Sequence, residues 1–144
     1  NLKAYQQLLF TSMRYGEPRS LDGNSHHAVT PKTAILCVTG IAQPAPYVEH
    51  LKQMTDQIDH ITFPDHHNYS DTDIKRILQE YDKISSTDKC IFTTEKDAVR
   101  LTLCDIPEEI RRQIFYIPIE PEFLTPRDQL IKNIYDYVRQ DTRK

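Results

Sequence analysis

Glycine is scarce in this chain: three of 144 residues, at positions 16, 23 and 40. Neither G-x-x-x-x-G-K-[ST] nor G-x-G-x-x-G can be written with them, so the usual backbone cradles for nucleotide phosphates are missing and an autonomous P-loop ATPase is excluded. Long apolar runs are missing too, none approaching the roughly 18 residues needed to span a bilayer, and no basic-then-apolar leader opens the sequence. Cysteine is limited to Cys37, Cys90 and Cys104, far apart, the first two inside apolar runs where a free thiol behaves as a small hydrophobe. A reduced, cytosolic protein is expected. Charge of one sign is not in excess: 18 basic against 21 acidic residues give −3, which excludes an electrostatic case for nucleic acid or an anionic membrane as partner. The chain begins at Asn1 rather than methionine, and the expectation is an excised fragment.

What is present reads as one domain behind a connector, since single cores usually fall at roughly 100 to 200 residues. Residues 1–31 are expected to be an interdomain connector: a short helix over Leu2 to Leu9, then Phe10 to Tyr15 and the turn chemistry of Gly16-Glu-Pro18, forming a small β-hairpin before a polar loop at Gly23 to His27. Residues 32–144 change character. Ala34-Ile-Leu-Cys-Val38 is a continuous apolar run of buried-strand type ending at Thr39-Gly40. Pro44 and Pro46 suit a first helical turn, with Tyr47, Val48, Leu51 and Met54 at helical spacing. Ile58 to Phe63, Cys90 to Phe92 and Ile114 to Ile119 read as further strands. Between them Ser70 caps a helix with Asp71 and Asp73 early and Ile74, Ile77, Leu78 and Tyr81 on one stripe. Ala98 and Leu101 continue a helical turn, and Thr125-Pro126 opens a last helix with Leu130, Ile131, Ile134 and Val138 on one side. Alternating strands and helices imply an α/β fold: a Rossmann-like three-layer sandwich with a mostly parallel sheet of about four strands.

In such a sheet ligand-contacting groups gather at the carboxyl ends of the strands. Three polar clusters fall there: Thr39-Gly40, Asp65-His66-His67, and Thr93-Thr94-Glu95-Lys96-Asp97. Gly40 serves either close approach to a ligand or a tight strand-to-helix turn. Asp65 and His66 are a carboxylate and an imidazole suited to acid/base work. Neighbours on an extended segment point to opposite sides, however, so His66 calls for a carboxylate from elsewhere; alternatively Asp65 and His67 only cap their loop. Glu95, Lys96 and Asp97 fill a first helical turn, where Lys96 can hold a phosphate or the three can simply be a solvated helix start.

Read together, Val38-Thr-Gly40-Ile-Ala42, Phe63-Pro-Asp65-His66-His67-Asn-Tyr69, Thr93-Thr-Glu95-Lys-Asp-Ala-Val-Arg-Leu101 and Tyr116-Ile-Pro118-Ile resemble, in order and spacing, the C-terminal half of the tetraacyldisaccharide 4'-kinase (lipid A 4'-kinase) family. Gln6 to Phe10 and Arg14-Tyr-Gly16-Glu-Pro18 are similar to that family's interdomain segment. The resemblance implies transfer of the ATP γ-phosphate, with Mg2+, to the 4'-hydroxyl of a lipid A disaccharide 1-phosphate at the cytoplasmic face of the bacterial inner membrane. It implies that an N-terminal P-loop domain, outside this chain, carries most of the ATP and Mg2+ binding, the base carboxylate and the membrane contact, so that no metal ligand is expected here. It further implies that His66 pairs with that carboxylate and Asp65 orients the loop. Glu95, Lys96 and Asp97 then lie at the nucleotide-side rim, with Thr94 and Gly40 beside them. The fragment alone is expected to be inactive, because phosphoryl transfer relies on positioning and charge stabilisation.

Two other readings fit parts of the sequence. A D-H-H triplet after a strand also marks manganese-dependent phosphoesterases, although no D-x-D motif precedes it and no glycine-rich motif follows. A non-catalytic α/β interaction module is the other.

Overall fold

The computed structural model describes residues 3, 6, 8–124 and 127–141. Among them are strands β1 (Thr11–Tyr15), β2 (Arg19–Ser20), β3 (Ala34–Thr39), β4 (Ile58–Thr62), β5 (Lys89–Thr94), β6 (Ile114–Ile117) and β7 (Ile119–Phe123). The helices are α1 (Ala45–Leu51), α2 (Asp71–Lys83), α3 (Glu95–Leu101), α4 (Glu108–Arg111) and α5 (Asp128–Asp141). They divide into two compact units, Gly16–Pro118 and the paired segments Asn1–Tyr15 and Ile119–Lys144.

The unit Gly16–Pro118 is built on a five-stranded sheet in the order β2-β6-β5-β3-β4. Its four long strands run parallel, and β2 adds a short antiparallel edge to β6. The α/β fold with a mostly parallel sheet is the one expected. β3 is buried at every position because it is central and covered on both faces. One face carries Leu36, Val38, Ile91 and Ile114 against Ile74, Ile77 and Tyr81 of α2 and Leu101 of α3. The alternate residues Ile35, Cys37, Cys90 and Phe92 are equally buried on the other face, and Tyr47 and Leu51 of α1 are buried with its hydroxyl bonded to the Thr93 carbonyl. Right-handed crossovers require this split, because β3 to β4 moves one way along the sheet and β4 to β5 moves back.

The second unit is a two-stranded antiparallel ribbon of β1 and β7, from Tyr15↔Ile119 at one end to Thr11↔Phe123 at the other, together with α5. Here the expectations are corrected. The hairpin expected within residues 1–31 does not form: β1 pairs with β7 and β2 with β6, so Gly16–Pro18 separates two sheets instead of turning one. The strand expected over Ile114 to Ile119 is two strands. Pro118 has no N–H to continue the ladder, and its carbonyl instead accepts the Gly16 amide at 2.8 Å. The helix expected over Leu2 to Leu9 lies largely outside the described residues, as does the Thr125-Pro126 helix start.

Candidate functional site

Strand order fixes where the loops must meet. β3 hands its chain to β4 on one side and β5 hands its chain to β6 on the other, so the carboxyl ends of these two central neighbours flank the point where connections diverge. Thr39-Gly40 and Thr94-Glu95 sit at those two ends. β4, on the other flank of β3, delivers Asp65-His66-His67 beside them.

The three clusters converge, and most of the convergence is inward. Asp97 is fully buried. Its Oδ2 accepts the Gly40 amide at 2.9 Å and the Thr94 hydroxyl at 2.7 Å, and Oδ1 lies 3.4 Å from the Arg100 guanidinium. Thr94 in turn caps α3 by accepting the Asp97 amide. The position a Cβ on Gly40 would take is 2.9 Å from Asp97 Oδ1, 3.2 Å from the Tyr69 hydroxyl and 3.4 Å from His67 Cβ. Gly40 is therefore needed for close approach, but to side chains of its own chain.

Tyr69 and His67 complete this packing. The two rings meet edge to face at 5.2 Å, and His67 stacks on Phe63 at 4.7 Å. His67 Nε2 lies 3.0 Å from Asp73 Oδ2, the carboxylate that closes the Ser70 capping box of α2. Burial and then the charge of Asp97 push the Tyr69 phenol far above its ordinary range. Thr39 also turns inward, with its hydroxyl 2.8 Å from His60 Nε2, and burial pulls the His60 ring below its usual value.

The outward part of the site is Asp65, His66, Glu95 and Lys96. Lys96 Nζ donates to Asp65 Oδ1 at 2.9 Å, a bond from the first turn of α3 to the loop after β4 that, ahead of the nearby His66, holds the Asp65 carboxyl below the usual range. The same Oδ1 accepts the His66 amide at 2.9 Å. His66 takes a left-handed backbone, φ 61°, the one such non-glycine residue among those described, and 74% of its side chain is exposed.

Set against the expectations, these positions divide. The segment at Asp65-His66 is not extended: the left-handed turn brings His66 Nε2 to 3.5 Å from Asp65 Oδ2, on the same side. Asp97 and Thr94, expected at a nucleotide-facing rim, are sequestered, since every oxygen the pair presents is aimed at Gly40, Arg100 or each other. Gly40 offers no free amide. Lys96 is engaged by Asp65 instead of standing open beside the helix end. The D-H-H triplet points three ways, to Lys96, outward and to Asp73, which is opposite to what a shared metal would require. No phosphate cradle and no group of three metal-ligating side chains is formed among the described residues. Sequence reasoning missed Tyr69, Asp73 and Arg100. Of Thr93 and Thr94, either of which the sequence allows as the cap of this turn, Thr94 caps α3 much as Ser70 caps α2, and what sequence reasoning missed is that Asp97 answers it three residues on.

Comparison with known proteins adds a second line. The profile of the tetraacyldisaccharide-1-P 4'-kinase family matches residues 3–139. The chain is similar to the tetraacyldisaccharide 4'-kinase of Bacteroides thetaiotaomicron, with 44% identity over 99% of this chain and 41% of that protein. It is similar to the enzyme of that name from Bacteroides fragilis, with 37% identity over 99% of this chain and 40% of the relative. It thus spans about two fifths of the length of these relatives. Among solved structures it resembles LpxK from Aquifex aeolicus in complex with ATP, with a TM-score of 0.58 and 15% identity, covering 94% of this chain and 38% of that one. At that identity the likeness concerns the fold.

Proposed function

Because the chain belongs to the tetraacyldisaccharide-1-P 4'-kinase family, we propose that it is the C-terminal part of such a kinase and supplies one wall of the active site without the phosphate-binding machinery. The whole enzyme would transfer the γ-phosphate of ATP to the 4'-hydroxyl of tetraacyldisaccharide 1-phosphate, a step of lipid A synthesis. Among the described residues no phosphate cradle and no group of metal-ligating side chains forms, so most of the ATP and Mg2+ binding is assigned to the part of the protein that precedes this chain, a P-loop domain. Membrane contact at the cytoplasmic face of the inner membrane is assigned there as well; among the described residues no helix is long and apolar enough to cross a membrane.

What supports this most is the presentation of His66. A left-handed backbone costs a non-glycine residue roughly 1–2 kcal/mol, and here it lifts an imidazole clear of the surface while Asp65 and Lys96 fasten the loop beneath it. In this reading His66 pairs with a carboxylate of the preceding domain and helps it take the proton of the sugar hydroxyl. Asp65 holds the imidazole at its angle, and Glu95 and Lys96 line the nucleotide side. Thr94, Asp97 and Gly40 support the rim from behind. Of residues 1–31, the part up to Tyr15, with β7 as its ribbon partner, would serve as the connection between domains.

The test uses the whole protein and the 144-residue chain side by side, with ATP and tetraacyldisaccharide 1-phosphate. Transfer is expected only from the whole protein, and His66→Ala there should lower kcat by about 100-fold or more with little change in KM for ATP. Transfer by the chain alone, or an unchanged kcat in the variant, overturns the assignment.

A further inference from the structure

The unit formed by β1, β7 and α5 has too little of its own to stand on. A lone two-stranded ribbon is marginal in water, and so is a single helix of about 12–15 residues. α5 has 14. Its sequence is nonetheless sharply two-sided: Leu130, Ile131, Ile134, Tyr135 and Tyr137 fall on one arc at 100° per residue, and Asp128, Lys132 and Asp136 on the other. Apart from Leu130, which is half-buried, the apolar arc is not covered among the described residues, with exposures from 43% at Ile131 to 72% at Tyr137. Phe10 and Leu124, joined by the bond from the Leu124 amide to the Phe10 carbonyl, add two more exposed apolar side chains at the Thr11↔Phe123 end of the ribbon.

The ribbon itself says what lies at that end. β1 carries the chain towards Gly16 and β7 carries it back from Pro118, antiparallel and in register. The strand that leaves therefore returns the chain to the end from which β1 set out. Whatever precedes β1 and whatever follows β7 emerge together. More than half the length of the relatives lies outside this chain, and under the reading given above that length is a preceding domain.

We propose that the apolar face of α5, with Phe10 and Leu124, seats against the part of the same polypeptide that precedes β1, so that the last helix belongs structurally to the preceding domain. This rests on the reading of the chain as a C-terminal part. A membrane surface is the poorer fit, because the polar arc of α5 balances Asp128 and Asp136 against Lys132 and Arg139 and lacks the basic surplus that draws such helices to anionic lipid.

Amide hydrogen exchange followed by mass spectrometry tests this on the whole protein and on the 144-residue chain under identical conditions. Peptides over residues 128–139 should exchange at least tenfold more slowly in the whole protein. Ile134→Asp in the whole protein should abolish that slowing while peptides within Gly16–Pro118 keep their rates, and Lys132→Gln, on the polar arc, should do neither. Should Ile134→Asp prevent folding, Tyr137→Ser provides the milder probe, with partial loss expected. Equal rates in whole protein and chain overturn the proposal. So does slowing in the 144-residue chain that grows with its own concentration, which would mean a second copy, or slowing produced there only by phosphatidylglycerol vesicles. Transfer of phosphate is not read in this experiment, so slowed exchange in a protein without kinase activity would remove the function and leave the interface.

Discussion

Asp97 Oδ2 receives the backbone N–H of Gly40 at 2.9 Å, and through that one bond the helical turn after β5 is fastened to the end of β3. In many α/β proteins the corresponding gap between diverging connections receives a ligand. Here a carboxylate from within the chain occupies it, satisfies the amide that a phosphate would otherwise seek, and lets Tyr69 and His67 close over Gly40. The outer loop carrying Asp65 and His66 is thus built on a filled base.

Removing that carboxylate should be costly. Asp97→Ala leaves the Gly40 amide and the Thr94 hydroxyl buried without their acceptor and Arg100 without its partner, at a cost of about 3 kcal/mol. Asp97→Asn, which keeps one acceptor, should cost less. Urea denaturation of the chain measures both, and a loss below about 1 kcal/mol for Asp97→Ala would show that the network is not holding the loops.

Gly40→Ala should destabilise by about 1–3 kcal/mol through crowding alone, because its Cβ would meet Asp97 Oδ1 at 2.9 Å and the Tyr69 hydroxyl at 3.2 Å. Combined with Asp97→Ala, which empties the space, the two losses should sum to clearly less than their separate values. Strict additivity in a double-mutant cycle would deny the contact. Gly23→Ala offers a contrast, since it has open space around it and a φ of 77°, and its cost of roughly 1 kcal/mol should be conformational only.

His66→Gly should raise the stability of the chain by up to about 1 kcal/mol, because glycine takes the left-handed backbone without the Cβ penalty, partly offset by its freedom in the unfolded state. The same change in the whole protein should abolish the proposed contribution to turnover. Thermal melting and steady-state rates read the two effects separately, and a melting temperature that falls would mean the loop is not strained.

Acid should loosen the loop from its base. The hydroxyl of Ser70, then its amide, and more weakly His67 hold the Asp73 carboxyl at about 2, below the ordinary value near 3.9. A depressed carboxyl contributes stability above its unfolded value and loses it as pH falls through the folded one, so this contribution fades between about pH 4 and pH 2. Asp65, lowered chiefly by Lys96, acts in the same direction. Melting temperatures of Asp73→Asn should therefore lie below those of the unaltered chain at pH 6 and approach them by pH 2. Parallel curves would contradict the linkage.

Local signals were legible and long-range ones were not. The Ala34–Val38 run read as a buried parallel strand and is one, covered on both faces, and Ser70 with Asp73 marked the start of α2 as the structure has it. The gathering of three loops followed from alternation of strands and helices. The pairing of β1 with β7 was hidden because partners such as Arg14 and Glu120 stand 106 positions apart and neither strand buries a regular face. Three consecutive charges at the start of α3 necessarily spread around the helix, so one had to face the sheet. Only the spacing from Thr94 singled out Asp97 as the one that does. The side-by-side placement of Asp65 and His66 was not legible, because a left-handed turn at His66, and not an extended segment, carries the ring.

Where the chain enters and leaves the five-stranded unit, Gly16 and Pro118 are a single hydrogen bond apart. A stretch whose two ends touch behaves as a cassette. It can be spliced into a host, or drop out of one, at the expense of a short bridge and with no rerouting of the surrounding polypeptide.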